Sequence, residues 1–156
     1  MSPRIKIELD DLTANNLGIL RRINSVVLPT TYGDAWYKES LAVGQLVKLA
    51  YFNDIPVGAI RCASETRNGQ ASIYIMTLAV LAPYRRYGVG KQLIQHIEEE
   101  AKRTYVKEVY AHVWVENGEA LSWYQKVGFE QAELVEGYYR KMNPPGNAFV
   151  VRKRIE

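Results

Sequence analysis

Cysteine is nearly absent from this chain: a single residue, Cys62, stands among 156. No internal disulfide is possible, and the expectation is a reducing, intracellular setting. Long hydrophobic runs are missing as well. Nothing approaches the roughly 20 consecutive apolar residues that cross a bilayer, and no secretory pattern opens the chain. Excess charge of one sign is missing too. With 20 Lys and Arg against 17 Asp and Glu, the formal net charge is +3. That suits a small anionic ligand and argues against a nucleic-acid surface, since the basic residues form no single stripe. Histidine occurs only as His96 and His112, so imidazole chemistry has two candidates. There is no repeat, linker or low-complexity segment.

What is present is a core. At 47% apolar, the chain is expected to fold as one domain spanning residues 1–156, burying roughly 68–70% of its unfolded surface. Residues 4–9 alternate as a first strand. Thr13 is the expected cap of a helix with Leu12, Leu20, Ile23 and Val27 on one stripe, stopped by Pro29. Asp34 is expected to cap a short helix over 35–43. Strands follow over 46–52 and 55–63, then a hairpin turn at Arg67-Asn68-Gly69-Gln70. Residues 71–81 are apolar on both faces, as in a central strand. A helix from Val89 to Arg103 buries Val89, Leu93, Ile94, Ile97 and Ala101. A strand over 106–115, a helix from Asn117 to Gly128, and strands over 129–135 and 147–154 complete the pattern β-α-α-β-β-β-α-β-α-β-β. This is a mixed α/β arrangement whose hairpins exclude a wholly parallel sheet.

Between the central strand and its helix lies Arg85-Arg86-Tyr87-Gly88-Val89-Gly90. A basic, glycine-punctuated turn at a helix N-terminus is a seat for phosphate: glycines let backbone N–H groups approach an anion, and the helix end adds partial positive charge. Two nucleotide motifs fail here. A P-loop would need Gly at Arg85 and Ser or Thr at Gln92, and the dinucleotide fingerprint would need Gly at Leu93. An ordinary turn into a helix is the plainer reading of Gly88 and Gly90, and a solvated pair that of Arg85 and Arg86.

The remaining pattern, Arg85-x-x-Gly88-x-Gly90, resembles the acetyl-CoA loop of the GCN5-related N-acetyltransferases. Asn117, Ala120, Tyr124, Gly128 and Phe129 resemble the second cofactor motif of that family. The stretches Tyr74-Ile75-Met76-Thr77-Leu78, Leu81-Ala82-Pro83-Tyr84-Arg85-Arg86, Leu49 to Ile55 and Gly137-Tyr138-Tyr139 are similar to the NatE-type (San) subfamily, which acetylates the α-amine of protein N-termini. The likeness covers nearly the whole chain. It implies the acyl-CoA N-acyltransferase fold, with a mixed, mostly antiparallel sheet and helices around it. It also implies acetyl-CoA as co-substrate, no metal, and the N-terminal segment of a protein as acceptor.

The resemblance implies roles for particular residues. Acetyl-CoA contacts fall on Leu78, Ala79, Val80, Arg85, Arg86, Tyr87, Gly88, Val89, Gly90, Lys91, Asn117 and Tyr124. A backbone N–H at Leu78 or Ala79, exposed by a bulge, would face the thioester oxygen. Tyr74 and His112 take the role of base through an ordered water, and Tyr124 lies near the thioester sulfur. An imidazole with a pKa near 6.5 suits that task, whereas a tyrosine near 10 better orients or relays. By residue type alone, His112 is a half-buried strand histidine and Tyr74 a core aromatic. His96, among Gln95, Glu98 and Glu99, reads as exposed. The peptide pocket falls on Leu28, Pro29, Thr30, Tyr32, Met76, Tyr138, Tyr139 and Met142, suited to an N-terminal Met followed by an apolar residue. Leu28, Thr30 and Met142 depart from residues frequent in the family. Leu28-Pro29 also reads as a helix stop and Tyr138-Tyr139 as a strand-end pair.

The resemblance further implies association with the NatA catalytic subunit and its helical-repeat partner near the ribosome, in the cytoplasm with the nucleus as a second location. Nucleic acid and membrane are not expected partners. Two other functions fit the same cofactor loop: acetylation of lysine or small amines, and a mainly structural acetyl-CoA-binding subunit. Lysine, with a pKa near 10.4, demands a stronger base. The nearest carboxylate by sequence is Glu116, expected outside the centre.

Overall fold

The computed structural model describes residues 4–156. The element order is β1 (Ile7–Asp10), α1 (Leu17–Val27), α2 (Asp34–Ser40), β2 (Val47–Phe52), β3 (Ile55–Arg67), β4 (Gln70–Val80), α3 (Val89–Arg103), β5 (Glu108–Trp114), α4 (Gly118–Lys126), β6 (Glu130–Tyr139) and β7 (Gly146–Arg154). The strands form a sheet in the order β1-β2-β3-β4-β5-β7-β6. Its β1–β2, β2–β3, β5–β7 and β6–β7 ladders are antiparallel and β4–β5 is parallel. This is the mixed, mostly antiparallel architecture expected. Contacts divide the chain into two compact units: the chain up to Ala63 with Met76–Glu100, and Ser64–Ile75 with Ala101–Glu156.

In the first unit, Leu20, Ile23, Tyr37, Val47, Leu49, Ala59 and Ala79 form a core cluster. Two helix starts differ from expectation. The side-chain oxygen of Asn16 accepts from Thr13 N–H at 2.7 Å and its amide donates to Asp11 O at 2.9 Å. That local turn uses the segment where a Thr13-capped helix would begin, so α1 starts at Leu17. Asp34 is the first residue of α2 rather than its cap: Gly33 precedes it in extended backbone, and the Asp34 carboxylate pairs with Arg21 instead. Gly58 was not singled out by its sequence context, yet a Cβ there would lie 3.1 Å from both Ala79 O and Val89 Cγ1. Its bare backbone lets β3 approach β4 and the first residue of α3. His96 is half-buried rather than exposed: its Nε2 lies 2.8 Å from Gln45 O, which ties α3 to the turn before β2. The oxygen is a pure acceptor, so this nitrogen carries the proton.

In the second unit, Asn68 and Gly69 both take positive φ, 53° and 75°, in the two-residue hairpin between β3 and β4. The expected strand over 55–63 therefore runs on to Arg67. The last antiparallel pair also exceeds expectation, with β6 reaching Tyr139 rather than 135. Between the pairs Val135–Ala148 and Tyr139–Gly146 the register shifts, because β6 has two more residues than β7 over that stretch. Gly137, at φ 66°, occupies the irregularity, and Asn147 Oδ1 accepts its N–H at 2.8 Å. Left-handed backbone costs a glycine nothing, and the Asn147 amide satisfies a donor that the shifted ladder leaves out.

Candidate active site

The first unit carries the loop that reads as a phosphate seat. After Val80 a short turn, Ala82–Tyr84, opens with Ala82-Pro83 and leads to Arg85 in extended backbone. Arg86 and Gly88 then take φ 71° and 85°. An added Cβ at Gly88 would meet nothing within 4 Å, so this glycine serves conformation and leaves the loop open on that side. Helix α3 begins at Val89 with no acidic residue in its first turn, and Gln92 N–H bonds to Gly88 O at 3.0 Å. The N–H groups of Val89, Gly90 and Lys91 precede that first helical bond and are the ones a helix start leaves for an anion.

The side chains of this loop divide their work. Arg85 turns back, its Nε donating to Val80 O at 3.0 Å, so part of its guanidinium closes the loop onto β4. Arg86 and Lys91 are exposed. The Tyr87 ring lies 4.9 Å from that of Phe52, which also meets Tyr84 at 5.2 Å. Val89 and Ala79 are buried core residues, so a cofactor would meet their backbone. Leu78 and Val80 are half-buried on the continuous strand β4.

The same unit holds Leu28, Pro29, Thr30, Tyr32 and Met76. Leu28 ends α1, its N–H bonded to Asn24 O. Leu28, Thr30 and Tyr32 line a cavity of about 170 Å³ with Arg21, Asn24, Ser25, Thr31 and Tyr37. Asn24 is 1% exposed, and neither its amide nitrogen nor its oxygen has a protein partner. Tyr32 stacks on Trp36 at 4.3 Å, and the Arg61 guanidinium lies 5.3 Å from the Trp36 ring centroid. Arg61 is buried. It donates to Ser40 Oγ, Cys62 O and the Met76 sulfur. Burial draws its pKa below the ordinary guanidinium value. Asn24, Trp36 and Arg61 lay outside the sequence reading. Only a charged residue within the otherwise apolar run of β3 hinted at Arg61.

The second unit holds the aromatic cluster built from Tyr74, Tyr110, His112, Tyr138 and Tyr139. Parallel pairing sets Tyr74 of β4 opposite Tyr110 of β5, and their rings lie 5.0 Å apart. Two residues on, His112 points to the same face of β5. Its Nδ1 lies 3.2 Å from the Tyr74 hydroxyl, which is 2.7 Å from the Tyr138 hydroxyl. His112 stacks on Tyr138 at 4.1 Å, and Tyr139 meets Tyr138 edge-on at 5.0 Å. Burial, followed by the Arg67 charge, pushes the His112 pKa below 6.5, and Glu133 opposes them. The imidazole is therefore neutral at pH 7. Burial also raises the Tyr110 pKa, with Glu65 adding to it.

Tyr124 is 8% exposed, with Trp123 and Phe129 edge-on at 5.1 and 5.2 Å. Asn117 caps α4, its Oδ1 accepting from Ala120 N–H at 3.1 Å. That capping accounts for Asn117 without a cofactor, and leaves its amide nitrogen for one. Met142 is half-buried, its sulfur packed over Gly146 beside the Trp114 indole. Glu116 is exposed. Among the described residues, no group of three or more His, Cys, Asp or Glu could hold a metal ion, and no helix is long and apolar enough to cross a membrane.

Residues 17–129 match the model of the acetyltransferase (GNAT) family. The chain belongs to that family. Within it, the chain is 42% identical over 151 residues to the zebrafish (Danio rerio) protein named N-alpha-acetyltransferase 50, covering 96% of this chain and 89% of that one. It is 40% identical over 153 residues to the Drosophila melanogaster probable N-acetyltransferase san, covering 97% and 83%. Among solved structures, Arabidopsis thaliana Naa50 in complex with the bisubstrate analogue CoA-Ac-MVNAL superposes with a TM-score of 0.84 at 40% identity, covering 94% of this chain and 97% of that one. As a GNAT acetyltransferase, the chain has a loop fit for the pyrophosphate of coenzyme A: an open glycine, a helix start free of acidic residues, and exposed cations at Arg86 and Lys91.

Proposed function

We propose that this chain, an N-terminal acetyltransferase drawing on acetyl-CoA, acts on peptides that begin with Met followed by an apolar residue, and that Tyr74 and His112 receive the proton of the attacking α-amine. The observation that carries the mechanism is the hydrogen-bonded run Tyr138–Tyr74–His112, with contacts of 2.7 and 3.2 Å. A neutral imidazole whose Nδ1 lacks a proton accepts from the Tyr74 hydroxyl. Tyr74 has a single O–H, so Tyr138 then donates to Tyr74. The run is polarised toward His112. A proton leaving the amine, directly or by way of a water, enters at a tyrosine oxygen and ends on Nδ1.

The demand on this base is modest, because an α-amine with a pKa of about 7.7–8.0 is already partly neutral near pH 7. Acetyl-CoA supplies the activated acyl group. The chain's part is to seat the pyrophosphate at the start of α3 and to offer backbone N–H groups on β4 near Leu78 and Ala79. The Tyr124 hydroxyl is assigned to the departing thiolate. An apolar acceptor is supported by Leu28, Pro29, Tyr32, Met76 and Met142. The relative solved with CoA-Ac-MVNAL supports the Met start and the apolar second residue. Likeness to the NatE type supports association with NatA and its helical-repeat partner at the ribosome in the cytoplasm; co-purification of the full chain with those subunits tests it.

The deciding experiment is turnover with acetyl-CoA against peptides varied at positions one and two, beside an acetyl-blocked peptide with an internal lysine. Met-apolar peptides should be turned over fastest. Preference for the lysine peptide would overturn the assignment, and absence of turnover by the isolated chain on any peptide would favour a structural role.

A further inference from the structure

Arg67 ends β3 at the hairpin, and its side chain is 12% exposed. One nitrogen, Nη1, donates to both oxygens of Glu108 at 3.0 and 2.9 Å, and Nη2 donates to Glu133. Glu108 is further held by Ser72 Oγ at 3.1 Å and Arg152 at 3.5 Å. A guanidinium fixed this way is planar and cannot wander. Its Cζ lies 5.2 Å from the centroid of Tyr110, and Tyr110 touches the proposed base pair, with its ring 5.0 Å from Tyr74 and 6.1 Å from His112.

Resting on the reading of Tyr74 and His112 as the base, we propose that Arg67 is a positioning residue that braces Tyr110 against Tyr74 and, by its charge, holds the His112 imidazole in its proton-accepting form. The groups around His112 are accounted for. Tyr74 comes from β4, Tyr110 from β5, Tyr138 and Glu133 from β6, and Arg67 from β3. From β7, Val150 pairs with His112, and Arg152 is occupied by Glu108 and Glu130. Glu65 acts on Tyr110. Of the charges that bear on His112 directly, Arg67 disfavours imidazolium and Glu133 favours it. Glu133 is 52% exposed and Arg67 is not, so water screens the carboxylate more than the guanidinium.

The test uses the full chain with Arg67→Gln, Arg67→Lys and Glu133→Gln. Two readouts are needed: the NMR titration of His112, assigned by its absence in His112→Ala, and the pH profile of kcat/KM. In Arg67→Gln both the His112 midpoint and the acid limb should move to higher pH, lowering kcat/KM at pH 6 by about two- to fivefold relative to its plateau. Arg67→Lys should restore both, and Glu133→Gln should move both the other way. Glu133→Gln leaves the Arg67–Glu108 pair intact, so it tests the charge effect even where Arg67→Gln fails to fold. A His112 midpoint unmoved in folded Arg67→Gln, or moved to higher pH in Glu133→Gln, overturns the inference. A midpoint that moves while the kcat/KM limb stays fixed upholds the effect of Arg67 on His112 and overturns His112 as the base.

Discussion

His112 lies nearly flat on Tyr138, with ring planes 11° apart and centroids 4.1 Å apart, while the Tyr138 hydroxyl bonds to Tyr74. Tyr138 thus supports the proposed base twice, through its face and through its oxygen. The two contributions separate by substitution. Tyr138→Phe keeps the stack and loses the hydroxyl; Tyr138→Ala loses both. Aromatic pairs are worth about 0.5–1.5 kcal/mol. Tyr138→Phe should therefore lower kcat severalfold with an unchanged melting temperature, and Tyr138→Ala should lower kcat further with a fall in Tm. Steady-state kinetics and thermal melts check this, and wild-type kinetics in Tyr138→Phe would remove the hydroxyl from the mechanism.

Removing the base itself should be costlier. General-base assistance contributes roughly 10²–10⁴-fold, and the easy deprotonation of an α-amine puts this enzyme at the low end. His112→Ala and Tyr74→Phe should each lower kcat by about 10²-fold, with acetyl-CoA affinity by calorimetry within about twofold of wild type. Wild-type turnover in both would sink the assignment.

The depressed His112 pKa has a consequence for stability. Below the ordinary imidazole value of 6.5, the unfolded chain binds a proton at this site that the folded chain does not. Stability therefore rises with pH in that window and is lost as pH falls from about 6.5 toward the lower folded value. Melts of wild type and His112→Gln between pH 5 and 7.5 check this: the variant should show the shallower slope. Equal slopes in the two proteins would contradict the direction of the shift.

Two glycines should fail in opposite ways. At Gly58 an added methyl meets a backbone oxygen and a packed valine at 3.1 Å. Gly58→Ala should then lower stability by about 1–3 kcal/mol and leave acetyl-CoA affinity per folded molecule nearly unchanged. At Gly88 there is room but φ is 85°. Gly88→Ala should cost only about 1 kcal/mol in stability and should weaken acetyl-CoA binding by reshaping the loop. Denaturant melts paired with binding isotherms distinguish them; matched effects in both variants would show that Gly88 is merely a turn.

Arg61 offers a test of a buried cation. It is 5% exposed, and its donors go to Ser40, Cys62 and Met76 rather than to a carboxylate. Apolar residues of similar volume often replace such charges without loss. Arg61→Met should leave Tm within a few degrees of wild type. It should also alter the ranking of second-residue peptides, because Met76 and Trp36 lose a neighbour. An unchanged ranking would exclude Arg61 from peptide selection.

The elements legible in advance were those whose signals are local. The apolar run over 71–81, the amphipathic stripe from Val89 to Ala101, the Asn68-Gly69 turn and the Asn117 cap each depend on residues a few positions apart. The start of α1 was misplaced because Asn16 competes for the same backbone that Thr13 would cap. The shift in β6 was missed because it depends on Asn147, ten residues beyond Gly137.

By itself the sequence determined the mixed α/β class, the order of elements, the glycine-bearing loop from Arg85 to Lys91 and, through family resemblance, the pairing of Tyr74 with His112. These rest on short-range periodicity and on motifs of short, fixed spacing. Tertiary structure alone decided how His112 is held: stacked on Tyr138, bonded to Tyr74 and biased by an arginine 45 positions away in the chain. Burial and charge act through space, and in a sheet the neighbours that set them come from strands far apart in sequence.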